Sequence, residues 1–326
     1  MTRLNDKVAA GDIIIIDGGM GTELERRGVP MHAQTWAGAS LVEYPDAVVD
    51  VHADYIRAGA EVIITNTFGA SPHMLSAMGH GERAEAIIRG SVDLAKRARD
   101  QVGRDVAIAG SISTMAAGGD LTDPGKRHSD DEIADSLGRM ARALADGGCD
   151  VIALEMMRDT VRSPVAMLCA KETALPVWLG LACTREKDSG DLVAFDFPEN
   201  RFADTVAAMV PLEPDLVSVM HTDVDVTDDA IDALAPHWNG PLGVYPEAGY
   251  FEMPHWHFVD VIAPDALVER ARAWAGKGVT LFGGCCGLGP AHIAALDGAR
   301  ESLEASRRRD RREGHVPRSG SGALVC

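Results

Sequence analysis

The amino-acid sequence predicts an α/β protein with a (β/α)8 barrel that spans residues 1–306. Eight short apolar or β-branched runs alternate with segments of helical apolar spacing. The interval between successive runs is roughly 40 residues, which accommodates a strand, a helix and two loops of such a barrel. The runs are continuously apolar, as is typical of parallel strands that are buried on both faces.

The strand predictions come from the apolar runs, and the helix predictions come from the segments between them. In chain order, the predicted strands are Ile13–Ile16, Val62–Thr65, Val106–Gly110, Val151–Leu154, Val177–Leu181, Leu216–Val219, Leu242–Tyr245 and Thr280–Phe282. The predicted helices are Asp46–Ala58, Glu82–Gln101, Asp130–Ala145, Thr160–Lys171, Asn200–Val210, Thr227–Leu234, Ala263–Ala275 and Pro290–Ser306.

An open, doubly wound sheet is the alternative fold with the same alternation of elements. That fold binds phosphates at a G-x-G-x-x-G turn after its first strand and carries an acidic residue at the end of the second strand. The segment Asp17-Gly18-Gly19-Met20-Gly21 has glycines without this spacing, and no acidic residue ends the second predicted strand. The barrel is therefore favoured.

Composition narrows the class of protein. The chain has 326 residues, and its 31 basic and 49 acidic side chains give a formal charge of −18. This charge repels phosphate backbones, which argues against nucleic acid as the main partner. The longest apolar runs fall far short of the ~20 residues that span a bilayer, and the N-terminus carries no secretory pattern. We therefore expect no membrane partner and a cytoplasmic location, with the oligomeric state open and a homo-oligomer possible.

The composition changes after Ser306. A short basic run leads into an end that contains Gly and Ser, and we predict that residues 307–326 form a disordered tail. A solvated terminus explains the basic run better than a nucleic-acid site does, because the run is short and the protein is acidic.

Candidate functional residues follow the predicted strands. In barrels of this type the chemistry lies at the carboxyl ends of the strands. Side chains that ionise, coordinate metals or form hydrogen bonds occupy these positions: Asp17, Asn66, Ser111, Glu155, Cys183, His221, Glu247 and the pair Cys285-Cys286. This concentration favours a functional site at that end of the barrel.

The pair Cys285-Cys286 is flanked by glycines and follows the last strand. Adjacent cysteines seldom form a disulfide with each other, and flexible flanking glycines allow both sulfurs to face one point. Two thiolates suit zinc, and the alternative is a pair of small buried side chains that only pack under a loop. A third ligand could come from His221, from Cys183 or from the His255-Trp256-His257 segment.

Four segments together carry a family resemblance. They are the Asp17–Leu24 opening, His52-Ala53-Asp54-Tyr55, Thr65–Ser71 and Gly283-Gly284-Cys285-Cys286-Gly287 followed by Pro290–Ile293. With Trp36 they resemble the homocysteine S-methyltransferase family, in order, over nearly the whole chain. The resemblance implies a (β/α)8 barrel that binds zinc and transfers a methyl group to a thiol.

The resemblance also implies roles for individual residues. Cys285 and Cys286 correspond to paired zinc ligands. Asp17 and Glu155 correspond to the acidic positions that would hold the ammonium of an amino-acid acceptor. The remaining substrate-binding positions are the backbone amides of Gly18, Gly19 and Met20, which would take its carboxylate, and the side chains of Trp36, Asn66 and Glu247.

The sequence departs from the family pattern at the expected third zinc ligand. The family has an Asn-Cys dipeptide where this chain has Met220-His221. Histidine is a competent zinc ligand, so we predict a centre of two cysteines and His221. The formal charge of metal plus ligands would then change from −1 to 0, which would bind an incoming thiolate more firmly and make it less nucleophilic.

Three further departures lie at the same end of the barrel. The segment Tyr245-Pro246-Glu247-Ala248-Gly249 replaces a Tyr-Pro-Asn-Gly-like segment, Glu155-Met156 replaces Glu-Thr, and a Glu-Tyr loop is missing between Met115 and His128. The resemblance implies homocysteine or a related thiol as the acceptor. The alternatives are a family relative that acts on another thiol, selenol or onium compound, and a non-catalytic barrel that binds a small amino acid.

The sequence also bears on the methyl donor. A quaternary ammonium is recognised by a cage of aromatic faces. Trp36 supplies one face, but Met156 and Phe68-Gly69 predict no second or third wall. We therefore expect a sulfonium donor such as S-methylmethionine rather than glycine betaine. The chain leaves no room for a separate cobalamin domain.

Overall fold

The computed structural model describes residues 2–33, 35–115, 129–252 and 254–313. A ring of eight parallel strands forms its centre. In chain order these strands are β1 (Ile14–Ile15), β2 (Val62–Ile64), β3 (Ala107–Ser113), β4 (Val151–Met157), β5 (Val177–Leu181), β6 (Leu216–Asp223), β7 (Leu242–Glu247) and β8 (Leu281–Phe282). The predicted (β/α)8 barrel and its eight strand positions are confirmed.

The ring closes between its first and last strands. Strand β1 pairs in parallel with β8 through Ile14 opposite Leu281, and the bridge from Ile16 to Val62 joins β1 to β2. Each other strand pairs with its neighbours in chain order. All carboxyl ends therefore face the same opening, which we call the mouth of the barrel.

Several strands continue beyond the predicted apolar runs at the mouth. Ser113 of β3 pairs with Glu155 of β4, and Glu247 of β7 pairs with Asp223 of β6. The predicted ends were too early because backbone pairing continues after the side chains become polar. Glu155, His221 and Glu247 consequently lie on the barrel strands themselves rather than on the loops that follow.

Helices surround the ring. They are α1 (Thr2–Ala10), α2 (Met20–Arg26), α3 (Ser40–Glu43), α4 (Pro45–Arg57), α5 (Pro72–Ala77), α6 (Ala84–Val102), α7 (Asp130–Gly147), α8 (Arg162–Lys171), α9 (Phe202–Met209), α10 (Val224–Leu234), α11 (Pro264–Gly276), α12 (Pro290–Gly298) and α13 (Arg300–Glu313). Caps define several of these ends. Ser129 precedes α7, and its hydroxyl accepts from the Glu132 N–H at 3.2 Å, as in a capping box.

The predicted last helix is divided at Ala299, and its second part, α13, reaches Glu313. The prediction of a disordered tail was therefore wrong for residues 307–313. These residues are mainly Arg and Glu, which have high helix propensity, so the helix continues through them. Residues 314–326 of the predicted tail lie outside the described residues, as does most of the segment in which the Glu-Tyr loop is missing.

Two small antiparallel sheets were not predicted, and both lie at the mouth. The first, the insertion sheet, follows β5 and consists of Cys183–Arg185, Leu192–Ala194 and Phe197–Arg201. The second, the mouth hairpin, follows β7 and pairs Tyr250–Glu252 with His255–His257.

The core has two layers. The larger layer lies between the outer faces of the strands and the helices, and the smaller one fills the inside of the ring. Ile14, Val151, Trp178 and Leu281 belong to the inner layer, and Leu4 of α1 packs against it from the end opposite the mouth. The ring is therefore a solid platform beneath the mouth. No helix among the described residues is long and apolar enough to cross a membrane.

Candidate metal centre and active site

A cavity of about 870 Å³ opens at the mouth of the barrel. Its lining includes most of the predicted site residues, whereas Asp17, Ser111 and Cys183 are buried outside the lining. The predicted residues in the lining are Gly18, Gly19, Met20, Trp36, Asn66, Glu155, His221, Glu247, Cys285 and Cys286. The structure thus brings together side chains that are up to 268 positions apart (Gly18 to Cys286).

The predicted metal ligands form one cluster. The ligand atoms of His221, Cys285 and Cys286 all lie within 4.8 Å of one another. The two sulfurs are 4.0 Å apart, and Nδ1 of His221 lies 3.5 Å from the Cys285 sulfur. A tetrahedral zinc with its usual bond lengths holds two thiolates ~3.8 Å apart and a thiolate and an imidazole nitrogen ~3.6 Å apart. The three side chains therefore fit zinc without rearrangement of the backbone.

The backbone fixes the loop that carries the sulfurs. The Cys285 N–H donates to the Pro246 carbonyl at 2.8 Å, and Arg26 of α2 donates to the Gly287 carbonyl at 2.7 Å. Gly287 has a φ of +82°, and a Cβ there would lie 2.0 Å from the Ala248 carbonyl oxygen. Only glycine allows this approach, which turns both cysteine side chains towards the cavity.

His221 is held against an acidic neighbour. Its Nδ1 lies 2.6 Å from Oε2 of Glu247, although the pair lacks the alignment of a hydrogen bond. Burial opposes the charged imidazole, but Glu247 and the Cys285 sulfur outweigh it and raise the pKa of His221 to about 10. A cation bound between the ligands would take the place of this proton, because metal ligation requires the neutral ring. Glu247 therefore lies beside the cluster, where it can balance positive charge.

The thiols of the cluster differ in acidity. The hydrogen bond from Cys286 lowers the pKa of Cys285 well below its ordinary value, and His221 acts in the same direction. The hydrogen bond with Cys285, together with burial, raises the pKa of Cys286 well above its ordinary value. Such a pair loses its remaining proton when a cation binds.

The other proposed third ligands are separated from the sulfur pair. Cys183 is buried next to Thr222, whose hydroxyl lies 3.8 Å from its sulfur. His255 contacts Glu25 at 2.8 Å, and the His257 ring stacks on Tyr250 with centroids 4.6 Å apart. Burial also raises the pKa of Cys183 to about 12, as expected for a packing thiol.

Of the two predicted acidic residues, Glu155 lines the cavity and Asp17 is buried beside it. Burial raises the pKa of Glu155 to about 7, although the hydroxyl of Ser111 donates to its carboxylate and opposes this shift. Burial also raises the pKa of Asp17 well above its ordinary value. Oδ2 of Asp17 accepts from the Ile64 N–H at 2.8 Å, and Oδ1 has no partner among the described residues. An orphaned carboxylate oxygen in this position can accept a hydrogen bond from a cationic ligand.

The remaining predicted substrate contacts are partly engaged in the protein. The Gly19 N–H, one of the amides predicted to take a substrate carboxylate, donates to the Leu288 carbonyl at 3.1 Å. The Asn66 amide donates to the Ala37 carbonyl at 3.0 Å and to the Ser40 hydroxyl at 2.8 Å. Asn66 therefore fixes the turn beside Trp36, as well as lining the cavity.

Sequence reasoning missed an aromatic wall. Trp36 meets Phe251 edge-on at 5.7 Å, Phe251 lies 6.4 Å from Trp256, and Phe195 lies 4.6 Å from the His221 ring. The expectation that Trp36 has no aromatic companions was wrong. Phe195 and Phe251 lie on or beside the two small sheets, whose positions depend on tertiary contacts rather than on periodicity. The aromatic residues on and beside the two small sheets are the sequence signal that could have revealed the wall.

The fold and the site define a (β/α)8 barrel enzyme with a candidate metal centre in an acidic, aromatic-lined cavity. The chain belongs to the homocysteine S-methyltransferase family, whose model matches residues 14–299. It is therefore a methyltransferase, and the prediction of the family is confirmed.

Individual relatives agree with this assignment. The chain is 31% identical over 308 residues to the homocysteine S-methyltransferase of Escherichia coli, covering 87% of this chain and 94% of the relative. It is 27% identical over 319 residues to the selenocysteine methyltransferase of Astragalus bisulcatus, covering 88% and 92%. The metallated form of the E. coli homocysteine methyltransferase MmuM superposes with a TM-score of 0.68 at 28% identity, covering 88% of this chain and 96% of that one.

Proposed function

We propose that this methyltransferase is zinc-dependent and transfers a methyl group from a small onium donor to the thiol of homocysteine or a related thiol. The observation that carries the proposal is the cluster of His221, Cys285 and Cys286, whose spacings suit tetrahedral zinc. When bound there, zinc would hold the acceptor sulfur as a thiolate at neutral pH, where a free thiol is mostly protonated.

The protein's own residues would orient the acceptor. The carboxylate of Glu155 lines the cavity and Asp17 is buried beside it, and a charge-assisted hydrogen bond to either would hold the acceptor ammonium. The amides of Gly18 and Met20 remain the candidates for its carboxylate. In the transfer, the bond between the donor heteroatom and its methyl group breaks as the acceptor sulfur forms a bond to that methyl group.

The aromatic wall suits any onium donor, so it does not separate a sulfonium from a quaternary ammonium. The charge of the lining favours a sulfonium amino acid. Glu155, Asp196, Asp223 and Glu247 all line the cavity. S-methylmethionine carries two cationic groups and glycine betaine carries one, so an acidic cavity attracts the former more strongly.

An assay matrix tests this proposal. Zinc-loaded protein is offered S-methylmethionine or glycine betaine with homocysteine or a selenol acceptor, and methylated product is measured. We expect fastest turnover with S-methylmethionine. Faster turnover with glycine betaine would overturn the donor preference, and no transfer with any pair would contradict the function.

The selenol arm is included because of the similarity to a selenocysteine methyltransferase. A reducing compartment such as the cytoplasm is also proposed, since all five cysteines in the described part of the chain are free.

A further inference from the structure

Arg158 is a buried cation in the wall of the cavity. It directly follows β4, is 5% exposed and lines the cavity. Its guanidinium carbon lies 5.5 Å from the centroid of the Phe197 ring. Sequence analysis did not single it out, because an arginine after a strand is usually a solvated loop residue.

The hydrogen-bonding capacity of this guanidinium is mostly unused. Nη1 donates to the Asp196 carboxylate and lies 3.9 Å from the sulfur of Met156. Nε is buried without a partner, and Nη2 has none within the described parts of the chain. A guanidinium carries five N–H donors, and a buried one is normally satisfied at most of them.

Burial lowers the pKa of Arg158, although Asp196 and Asp159 both oppose this shift, so these two carboxylates only partly compensate the buried charge. The side chain of Asp196 is 56% exposed and lies on the turn between two strands of the insertion sheet, where water weakens the pairing. Asp196 also has a φ of +60°, an uncommon conformation for a residue other than glycine. A buried cation whose ion-pair partner is half solvated lowers the stability of the protein unless a further anion completes its surroundings.

The position of Arg158 at the end of β4 indicates which ligand supplies this anion. In the closed order of the eight strands, β4 lies four strands from β8 in both directions. An anion on Arg158 therefore lies across the cavity from Cys285 and Cys286. The acceptor ammonium and carboxylate already have their proposed partners in Asp17, Glu155 and the amides of Gly18 and Met20, which leaves Arg158 to the donor.

We propose that Arg158 binds the carboxylate of the methyl donor and thereby selects onium compounds that carry one. The inference rests on the proposed function, because it assumes an onium donor. A carboxylate matches the planar guanidinium fork and would accept from the N–H groups that Asp196 leaves free. A phosphate dianion would match the same fork but would be repelled more strongly by the four carboxylates of the lining.

The test compares matched ligands that differ in the carboxylate. S-methylmethionine is paired with (3-aminopropyl)dimethylsulfonium, and glycine betaine is paired with choline. Dissociation constants are measured by calorimetry on zinc-loaded full-length protein without acceptor. Variants are R158Q, R158K, which keeps the charge but loses the fork, and R185Q as a control. Arg185 belongs to the same insertion sheet, and its partly exposed side chain pairs with Asp229 of α10.

For the wild type and R185Q, we expect the carboxylate-bearing member of a pair to bind more tightly. R158Q should weaken that member by about 10- to 100-fold and the carboxylate-free member by about 2-fold or less, with R158K between. In turnover assays, the KM of the donor should rise in R158Q while the KM of the acceptor changes little.

Three outcomes would overturn the inference. They are the absence of a carboxylate preference in the wild type, an unchanged preference in R158Q, and a rise in the acceptor KM alone. The dissociation constants do not depend on methyl transfer, so they distinguish failure of this inference from failure of the proposed function. If no methyl group is transferred to any acceptor while R158Q still removes the carboxylate preference, the proposed reaction fails and the subsite remains supported.

Discussion

At the end of the barrel opposite the mouth, charged side chains pair with one another or with backbone amides. Asp150 accepts from the Ile108 N–H at 2.8 Å, and Glu61 contacts both Lys7 and Arg300. A second cavity of about 360 Å³ is found here, and its lining includes Lys7, Glu61 and Asp150. Each of these acids therefore supports the register or closure of the ring.

At the mouth, several buried polar atoms have no partner among the described residues: Oδ1 of Asp17, Nε1 of Trp36 and Nε of Arg158. Trp36, Met156, Asp196 and His221 also have positive φ angles of 49°, 59°, 60° and 42°. Such angles are strained for these residue types and are maintained by the surrounding structure. Positive φ angles also occur opposite the mouth, at Ala174 and Glu213, so the difference lies in the polar groups. Asp150 and Glu61 have partners within the protein, whereas the mouth retains buried polar atoms that a ligand could engage.

The sharpest test of this comparison is removal of a sulfur at the mouth. C285A or C286A should lose most of the zinc and, with it, methyl transfer, because two protein ligands do not retain the metal against a chelator. C183A removes a cysteine that is buried outside the cluster and should keep about one zinc per chain. Metal content by emission spectrometry, together with turnover, distinguishes these variants. Full zinc retention in both C285A and C286A would refute the site.

Loss of His221 should have the next largest effect. H221A should weaken zinc binding by roughly 10- to 100-fold or more, since it removes a ligand rather than an outer contact. H221C should restore binding and shift the preference towards less acidic thiols, because a third thiolate makes the centre more electron-rich. Competition with a chelator measures the affinity. X-ray absorption that shows two sulfurs and one nitrogen, unchanged in H221A, would exclude this residue as the nitrogen ligand.

Ionisation of Glu155 should strengthen acceptor binding but lower the free energy of unfolding. Its carboxylate must be ionised to hold an ammonium, so acceptor affinity should fall as the pH drops below about 7. E155Q should abolish that pH dependence and weaken acceptor binding by about 10-fold or more. The KM of the acceptor is measured at several pH values between about 6 and 9. A wild-type KM that is flat over this range would remove Glu155 from the role.

The same substitution should stabilise the fold at alkaline pH. Because burial raises the pKa of Glu155 above its unfolded value, its contribution is fully present below the unfolded pKa and is lost as the pH rises to about 7. E155Q should then unfold with a free energy higher by about 1–3 kcal/mol at pH 8. Urea melts of both proteins would detect this gain.

The smallest effect on activity is expected at the opposite end. E61Q should leave turnover within about 2-fold and lower the free energy of unfolding by about 1–3 kcal/mol, since Lys7 and Arg300 both lose their shared partner. Lys7 and Arg300 lower the pKa of Glu61 despite its burial, so this stability disappears as the pH falls through that lowered value. Equal stabilities of E61Q and wild type at pH 7 would contradict the assigned role.

The ring could be predicted from the sequence because buried parallel strands are apolar, so their ends can be recognised, and the barrel brings those ends together. This argument placed His221, Cys183 and the cysteine pair at one end of the ring. The choice of His221 as the third ligand came from the family resemblance, and its Nδ1 lies 3.5 Å from the Cys285 sulfur.

The two small sheets and the burial of Arg158 could not be predicted, because they depend on tertiary contacts that no local sequence pattern encodes. The insertion sheet and the mouth hairpin are short, mixed in polarity and stabilised by packing over the barrel, so Phe195 and Phe251 gave no periodic signal. Arg158 was missed for a related reason. Its burial follows from the insertion sheet that covers it, and Asp196 is its partner only because that sheet folds back over β4.

The pairing of β1 with β8 has a consequence for how the protein is made. Strand β1 ends at Ile15, and its partner β8 begins at Leu281, so the first strand leaves the ribosome long before its partner exists. At the usual pace of synthesis this delay is roughly 15–50 s, during which β1 has an open edge. Both sulfurs follow β8 directly, so the cluster of His221, Cys285 and Cys286 can assemble only after the last strand has been made. Pulse proteolysis of ribosome-bound chains truncated on either side of Phe282 would time this closure.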